Sequence, residues 1–196
     1  MANKLNSICV YCGSSDDIHP VYYQAASQLG KLLAESKINL IYGAGKTGLM
    51  GVLADSVLNN GGKVTGVVSE NLNQPQLIHA KLTRLEVTAD IQSRQRRMLD
   101  LADALIALPG GFGTLYELLE SLTWAQIGIH QKPIGILNIN GYFDPFSVMI
   151  EHAMLEGFIY PEHMGLIVKA ESPDEILSAL RRYSPPANLA RWVDRK

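Results

Sequence analysis

Short apolar runs recur along the chain at roughly 7–12, 38–42, 63–68, 82–87, 104–108, 133–139 and 165–169, with amphipathic stretches between them. Alternation of this kind predicts a parallel sheet with helices on both faces. Ala104-Leu105-Ile106-Ala107-Leu108 is apolar at every position, as a strand covered on both sides must be, so it is placed centrally. Two helix starts are signed. Asp144-Pro145 offers an N-cap followed by proline at the first helical position, with Gly157 closing that helix. Ser172-Pro173-Asp174-Glu175 has the spacing of a capping box. The periodicity fails after Ser184-Pro185-Pro186. The expected organisation is therefore one domain over 1–183 and a tail over 184–196, without repeats or an internal boundary.

In such a sheet, ligands bind beyond the carboxyl ends of the strands. Three glycine-containing loops fall there: Gly13-Ser14-Ser15, the stretch 43–48, and Pro109-Gly110-Gly111-Phe112-Gly113-Thr114. The second, in LIYGAGKTGLMG, resembles two phosphate loops at once. A Walker loop needs a glycine five positions before Gly45, where Leu40 stands inside the strand, so that reading fails. Gly43, Gly45 and Gly48 do spell the dinucleotide GxGxxG, with Ser69-Glu70 after the next strand as a candidate ribose acid. Those glycines are also what any tight strand-to-helix turn needs.

The third loop carries more. Its glycines leave backbone N–H groups uncovered at a helix start, where the helix dipole adds ~0.3–2 kcal/mol of attraction for an anion. Thr114 adds a hydroxyl and Glu117 follows one turn later. On a helical wheel Leu115, Leu118, Leu119 and Leu122 share one face and Glu117, Glu120 and Trp124 the other. A solvated acidic face competes there with a cleft wall or a partner contact, which Trp124 favours. In the helix before it, Arg94 falls inside the apolar stripe of Ile91 and Met98, whereas Arg96 and Arg97 read as surface charges. An inward arginine needs a carboxylate, a ligand phosphate, or an escape past the helix end.

Composition narrows the class without changing this picture. The 196 residues are 47% hydrophobic and 18% charged, as in a folded globular protein. Seventeen basic against nineteen acidic side chains give a net charge of −2, which disfavours a broad nucleic-acid footprint. No apolar run approaches the roughly 20 residues of a membrane span, and the five-residue apolar stretch near the start is too short for a signal core. A cytoplasmic protein is expected. Cys9 and Cys12 are spaced CxxC, yet the histidines show no paired spacing and ICVYC reads as a strand, so both are expected to be core cysteines.

The segment 109–117 matches PGGxGTxxE and resembles the LOG family of cytokinin-activating phosphoribohydrolases, often labelled "possible lysine decarboxylase". The resemblance extends through Cys12-Gly13-Ser14-Ser15, Tyr42-Gly43-Ala44-Gly45, Gly48-Leu49-Met50-Gly51, Ala102-Asp103-Ala104, Thr123-Trp124-Ala125-Gln126 and Asn140-Gly141-Tyr142-Phe143. It implies a Rossmann-like doubly wound α/β fold of about seven strands, a homodimer, and hydrolysis of the N-glycosidic bond of adenine-type nucleoside 5′-monophosphates. It maps the catalytic pair onto Arg94 and Glu117, and phosphate and ribose binding onto Ser14, Gly45, Gly110, Gly111, Gly113 and Thr114. Departures from the family pattern stand at Ala44, Ser69, Gln92 and Gln95.

No metal or redox cofactor is implied, and neither a nucleic acid nor a membrane is an expected partner. Asp103 reads as structural, and Lys46 and Thr47 as adapting their loop to the substrate. The rival class is a non-catalytic carrier of a phosphorylated ligand resembling the molybdenum-cofactor carrier proteins. Hydride transfer needs NAD binding. Lysine decarboxylation needs a Schiff-base lysine, which no sequence context marks.

Overall fold

The computed structural model describes residues 3–189, so the last seven residues of the expected tail lie outside the described part. Seven parallel strands alternate with six α-helices among these residues. The strands are β1 (Ser7–Tyr11), β2 (Asn39–Tyr42), β3 (Val64–Ser69), β4 (Arg84–Thr88), β5 (Ala104–Ala107), β6 (Ile134–Leu137) and β7 (Ile167–Ala170). The helices are α1 (Pro20–Glu35), α2 (Gly48–Asn59), α3 (Ile91–Leu101), α4 (Phe112–Gln126), α5 (Asp144–Leu155) and α6 (Pro173–Arg182). Each strand lies within about two residues of its apolar run, the usual uncertainty of element ends.

The order across the sheet is β4-β3-β2-β1-β5-β6-β7. The chain winds outward from β1 to β4, then returns to lay β5 against the free side of β1, with Ile8 opposite Ala104 and Tyr11 opposite Ala107. That reversal opens a crevice above the carboxyl ends of β1 and β5. Alternation along β1 divides the core. Ile8 and Val10 join Leu29, Leu33, Leu53, Val57 and Leu180 beneath α1, α2 and α6. Cys9 and Tyr11 join Met98, Leu99, Leu118 and Phe143 on the opposite face. Both cysteines are free and buried, and burial pushes both thiols up, so neither is a thiolate nucleophile.

Three local expectations are corrected. The α5 cap is Phe143, because the Asp144 carboxylate instead accepts from Asn138 Nδ2 at 2.9 Å and Lys169 Nζ at 2.7 Å. At α6, Ser172 caps the N–H of Glu175, but Glu175 reaches back to the N–H of Glu171, one residue beyond the cap. On α4 the buried face carries Thr114, Glu117, Leu118, Ser121 and Ala125, while Leu119 is 41% exposed. The polar side turns inward because α3 and β1 supply partners for it.

Candidate active site

A cleft of about 720 Å³ lies at the crevice, walled by the loops after β1, β2 and β5. Of the helix N-termini that reach this region, those of α2 and α4 differ in one decisive respect. At α2 the amides are already engaged. Gly48 N–H donates to Asp16 Oδ1 at 3.0 Å, and the Leu49 and Met50 N–H groups donate to the Gly13 carbonyl at 3.0 and 3.3 Å. The Thr47 hydroxyl closes the turn by donating to the Ser14 carbonyl at 2.8 Å. The first turn of α2 therefore has no amides left for a ligand phosphate, which answers the ambiguity of LIYGAGKTGLMG. Gly48 has φ +58, a conformation that favours glycine.

At α4 the N-cap is Gly111, without a side-chain cap, so the first-turn amides open toward the cleft. The loop is folded tightly: a methyl on Gly110 would strike the Thr114 side chain and the Gly13 nitrogen. Gly13 N–H donates to the Pro109 carbonyl at 3.0 Å and the Tyr142 hydroxyl donates to the Gly110 carbonyl at 2.5 Å. Ser14, Gly45, Gly111, Gly113 and Thr114 line the cleft, and Gly110 sits behind them. Thr47 also lines it, whereas Lys46 is exposed and is not among the lining residues.

Arg94 and Glu117 meet at the cleft wall. Arg94 Nη1 donates to Glu117 Oε1 at 3.0 Å, with side chains only 11% and 10% exposed. Arg94 Nε donates to the Val67 carbonyl at 3.0 Å, so the guanidinium is fixed from β3 as well. A side chain on Gly43 would collide with that guanidinium, so this glycine makes room for Arg94. Burial pushes the Glu117 carboxyl up from its usual range, against the opposing pull of Arg94. Asp103 is structural, accepting from the N–H groups of Asn6 and Ser7. Arg96 pairs with Asp100 and covers Trp124. Arg97 is more than a surface charge, since it grips Glu86 through two nitrogens and holds that carboxyl below its usual range.

The opposite wall is apolar and comes from a segment with no periodicity in the sequence. Leu72, Leu77 and Ile78 face the cleft beside Val68 and Ile91. Gly45 bridges Ile78, His79 N–H donates to the Ala44 carbonyl, and Lys46 N–H donates to the Leu77 carbonyl. Buried His79 sits 3.1 Å from Asp55 on α2 and accepts the Lys81 N–H, which clasps the segment to the body. Gln95, marked in the sequence only as a departure from the family pattern, has a role that the sequence did not reveal. It is fully buried under α4 and bonds to Tyr11, Ser121 and the Glu117 carbonyl.

Fold and site together define a doubly wound α/β protein with a cleft, an uncapped helix start and a buried Arg–Glu pair at its switch point. The family model described as "possible lysine decarboxylase" matches residues 50–180, and the chain belongs to that family. It is 43% identical over 183 residues to cytokinin riboside 5′-monophosphate phosphoribohydrolase LOG7 of Arabidopsis thaliana, covering 93% of this chain and 84% of that protein. The LOG protein of the same description from Oryza sativa subsp. japonica is 42% identical over 193 residues, covering 98% and 80%. Among solved structures, the molybdenum-cofactor binding protein of Rippkaea orientalis superposes with a TM-score of 0.68 at 22% identity, covering 89% of this chain and 94% of that one. The molybdenum-cofactor carrier protein of Chlamydomonas reinhardtii also gives 0.68, at 20% identity, covering 92% and 98%. These two share the fold. The family and fold expectations are borne out.

Proposed function

We propose that this chain hydrolyses the N-glycosidic bond of adenine-type nucleoside 5′-monophosphates, releasing the free base and ribose 5-phosphate. The observation that carries the reading is the buried Arg94–Glu117 pair, one helical turn beyond the uncapped start of α4. The names of relatives 42–43% identical over most of the chain support it.

The 5′-phosphate binds at the amides of Gly111 and Gly113, with the Thr114 hydroxyl and Ser14 beside it. This remote anchor aligns the ribose with Glu117. Cleavage builds positive charge on the ribose ring, as in glycoside hydrolysis. The Glu117 carboxylate faces that charge, holds ribose hydroxyls, and draws a proton from the attacking water. Arg94, always charged, holds the carboxylate in place. The base leaves along the wall of Leu72, Leu77 and Ile78, whose apolar surface accepts adenine or an N6-alkylated adenine. A pyridoxal enzyme does not fit this cleft: no lysine is among the described residues lining it.

The test is base release from AMP and from N6-isopentenyl-AMP, followed by chromatography. Release of adenine or the N6-alkyl base with equimolar ribose 5-phosphate is expected, with the lower KM for the alkylated nucleotide because of the apolar wall. Bound nucleotide without release would favour a carrier.

The proposal includes a homodimer in a reducing, cytoplasmic compartment, consistent with two unpaired thiols. α5 buries none of its residues fully, and Val148, Met149 and Leu155 stand exposed on it, with Phe158 just beyond. Phe112, at the cleft rim, is 93% exposed. Apolar surface of this extent suits a second copy of the chain. Light scattering is expected to return twice the 21.5 kDa chain mass, and a monomer mass would refute the dimer.

A further inference from the structure

We propose that Gln95 is a positioning residue for Glu117, acting through the main chain of α4; the inference rests on Glu117 being the working carboxylate. Gln95 follows Arg94 on α3, so consecutive residues hold Glu117 from two directions. Arg94 takes the carboxylate, and Gln95 Nε2 donates to the Glu117 carbonyl at 3.2 Å. The same amide donates to the Tyr11 hydroxyl at 2.9 Å, and Ser121 Oγ lies 3.4 Å away. Since a carbonyl can only accept, the Glu117 oxygen fixes which end of the Gln95 amide faces it. Ser121 spends its proton on that carbonyl at 2.8 Å, which leaves Ser121 Oγ as an acceptor for the Tyr11 hydroxyl 3.1 Å away. A single directed network thus joins β1, α3 and α4 at the residue that carries the chemistry.

This arrangement is a poor device for stability. Gln95 is fully buried, yet its Oε1 has no hydrogen-bond partner among the described residues. Burying an unpaired carbonyl is unfavourable, and an apolar side chain of similar size would avoid it. Nor do its partners depend on it. Without Gln95, Tyr11 still donates to Ser121, and the Glu117 carbonyl still accepts from Ser121. What disappears is the tie between α3 and the backbone of Glu117. The expected signature is therefore a loss of rate without a loss of stability.

Gln95→Met, in the full chain, tests this with AMP as substrate. A misplacement of the carboxylate lowers kcat roughly tenfold to a hundredfold. KM stays within about a factor of two, because the phosphate anchor is untouched. The melting temperature holds or rises, and the acid limb of the pH profile stays in place, because burial and Arg94 still set the Glu117 carboxyl. Wild-type kcat in the variant overturns the proposal. So does a fall in kcat accompanied by lower melting temperature and higher KM, which would mark a merely structural residue. Should Gln95→Met fail to fold, Gln95→Leu removes the same tie from α3 to the Glu117 carbonyl with a branched side chain and carries the same expectations for kcat and KM. The wild-type control separates the two readings. An inactive wild type sinks the proposed reaction and this inference together, whereas an active wild type matched by Gln95→Met sinks this inference alone.

Discussion

Glu117→Gln is expected to reduce base release by on the order of 10³-fold or more while leaving AMP bound, because the proposed reaction routes both proton transfer and charge stabilisation through this carboxylate. The substitution keeps the side chain's shape and one oxygen for Arg94, so the amides at the start of α4 are unaffected and KM should change little. Single-turnover assays with equilibrium binding of AMP separate the two effects. Retention of more than a tenth of the rate would remove Glu117 from the reaction. The wild-type pH profile carries the same information. Only the ionised carboxylate can stabilise positive charge, and burial raises the Glu117 carboxyl above its ordinary 4.5. Activity therefore rises with pH through an ionisation above the usual carboxylate range. For stability the sign is opposite. The folded chain holds this proton more tightly than the unfolded one, so the contribution favours folding at low pH and is lost as pH climbs through the folded value.

Arg94→Ala is expected to have two large consequences. It leaves Glu117 buried without its partner, and breaking a buried ion pair from one side costs about 3–5 kcal/mol. That should appear as a fall in denaturation midpoint by urea titration. Base release should fall by about 10²–10³-fold, the range for losing one fixed donor at a reacting centre. The surviving activity should have its acid limb displaced to higher pH, since Arg94 is what pulls the Glu117 carboxyl down against burial. An unshifted acid limb would mean that another group sets it.

The apolar runs located all seven strands, because strands covered on both faces leave few polar positions to confuse the pattern. Arg94 was legible for the same reason in reverse: a charge inside an apolar stripe demands a partner, and the structure supplies Glu117. The facing of α4 was left open between a solvated face and a cleft wall or partner contact. A wheel sends polar residues outward by default, and only tertiary partners reveal that Glu117 and Ser121 turn in. Gln95 was marked only as a departure from the family pattern, because an uncharged polar residue on a helix does not by itself reveal its partners. The wall around Leu77 and Ile78 lies in a loop held by main-chain bonds and the His79–Asp55 clasp, which leave no periodic trace. Asp144 was misread as a cap because Lys169, 25 residues later, competes for its carboxylate.

The closed start of α2 has a consequence in charge stoichiometry. Asp16 neutralises the positive end of that helix from within. Arg94 is the sole basic side chain among the described residues lining the cleft, and Glu117 already cancels its charge. What remains for a ligand is roughly half a charge at the α4 terminus and a set of amide dipoles. That complement suits one phosphate and cannot offset the extra anionic groups of a diphosphate or triphosphate. For the monophosphate substrate proposed above, selectivity would thus be set by withheld positive charge.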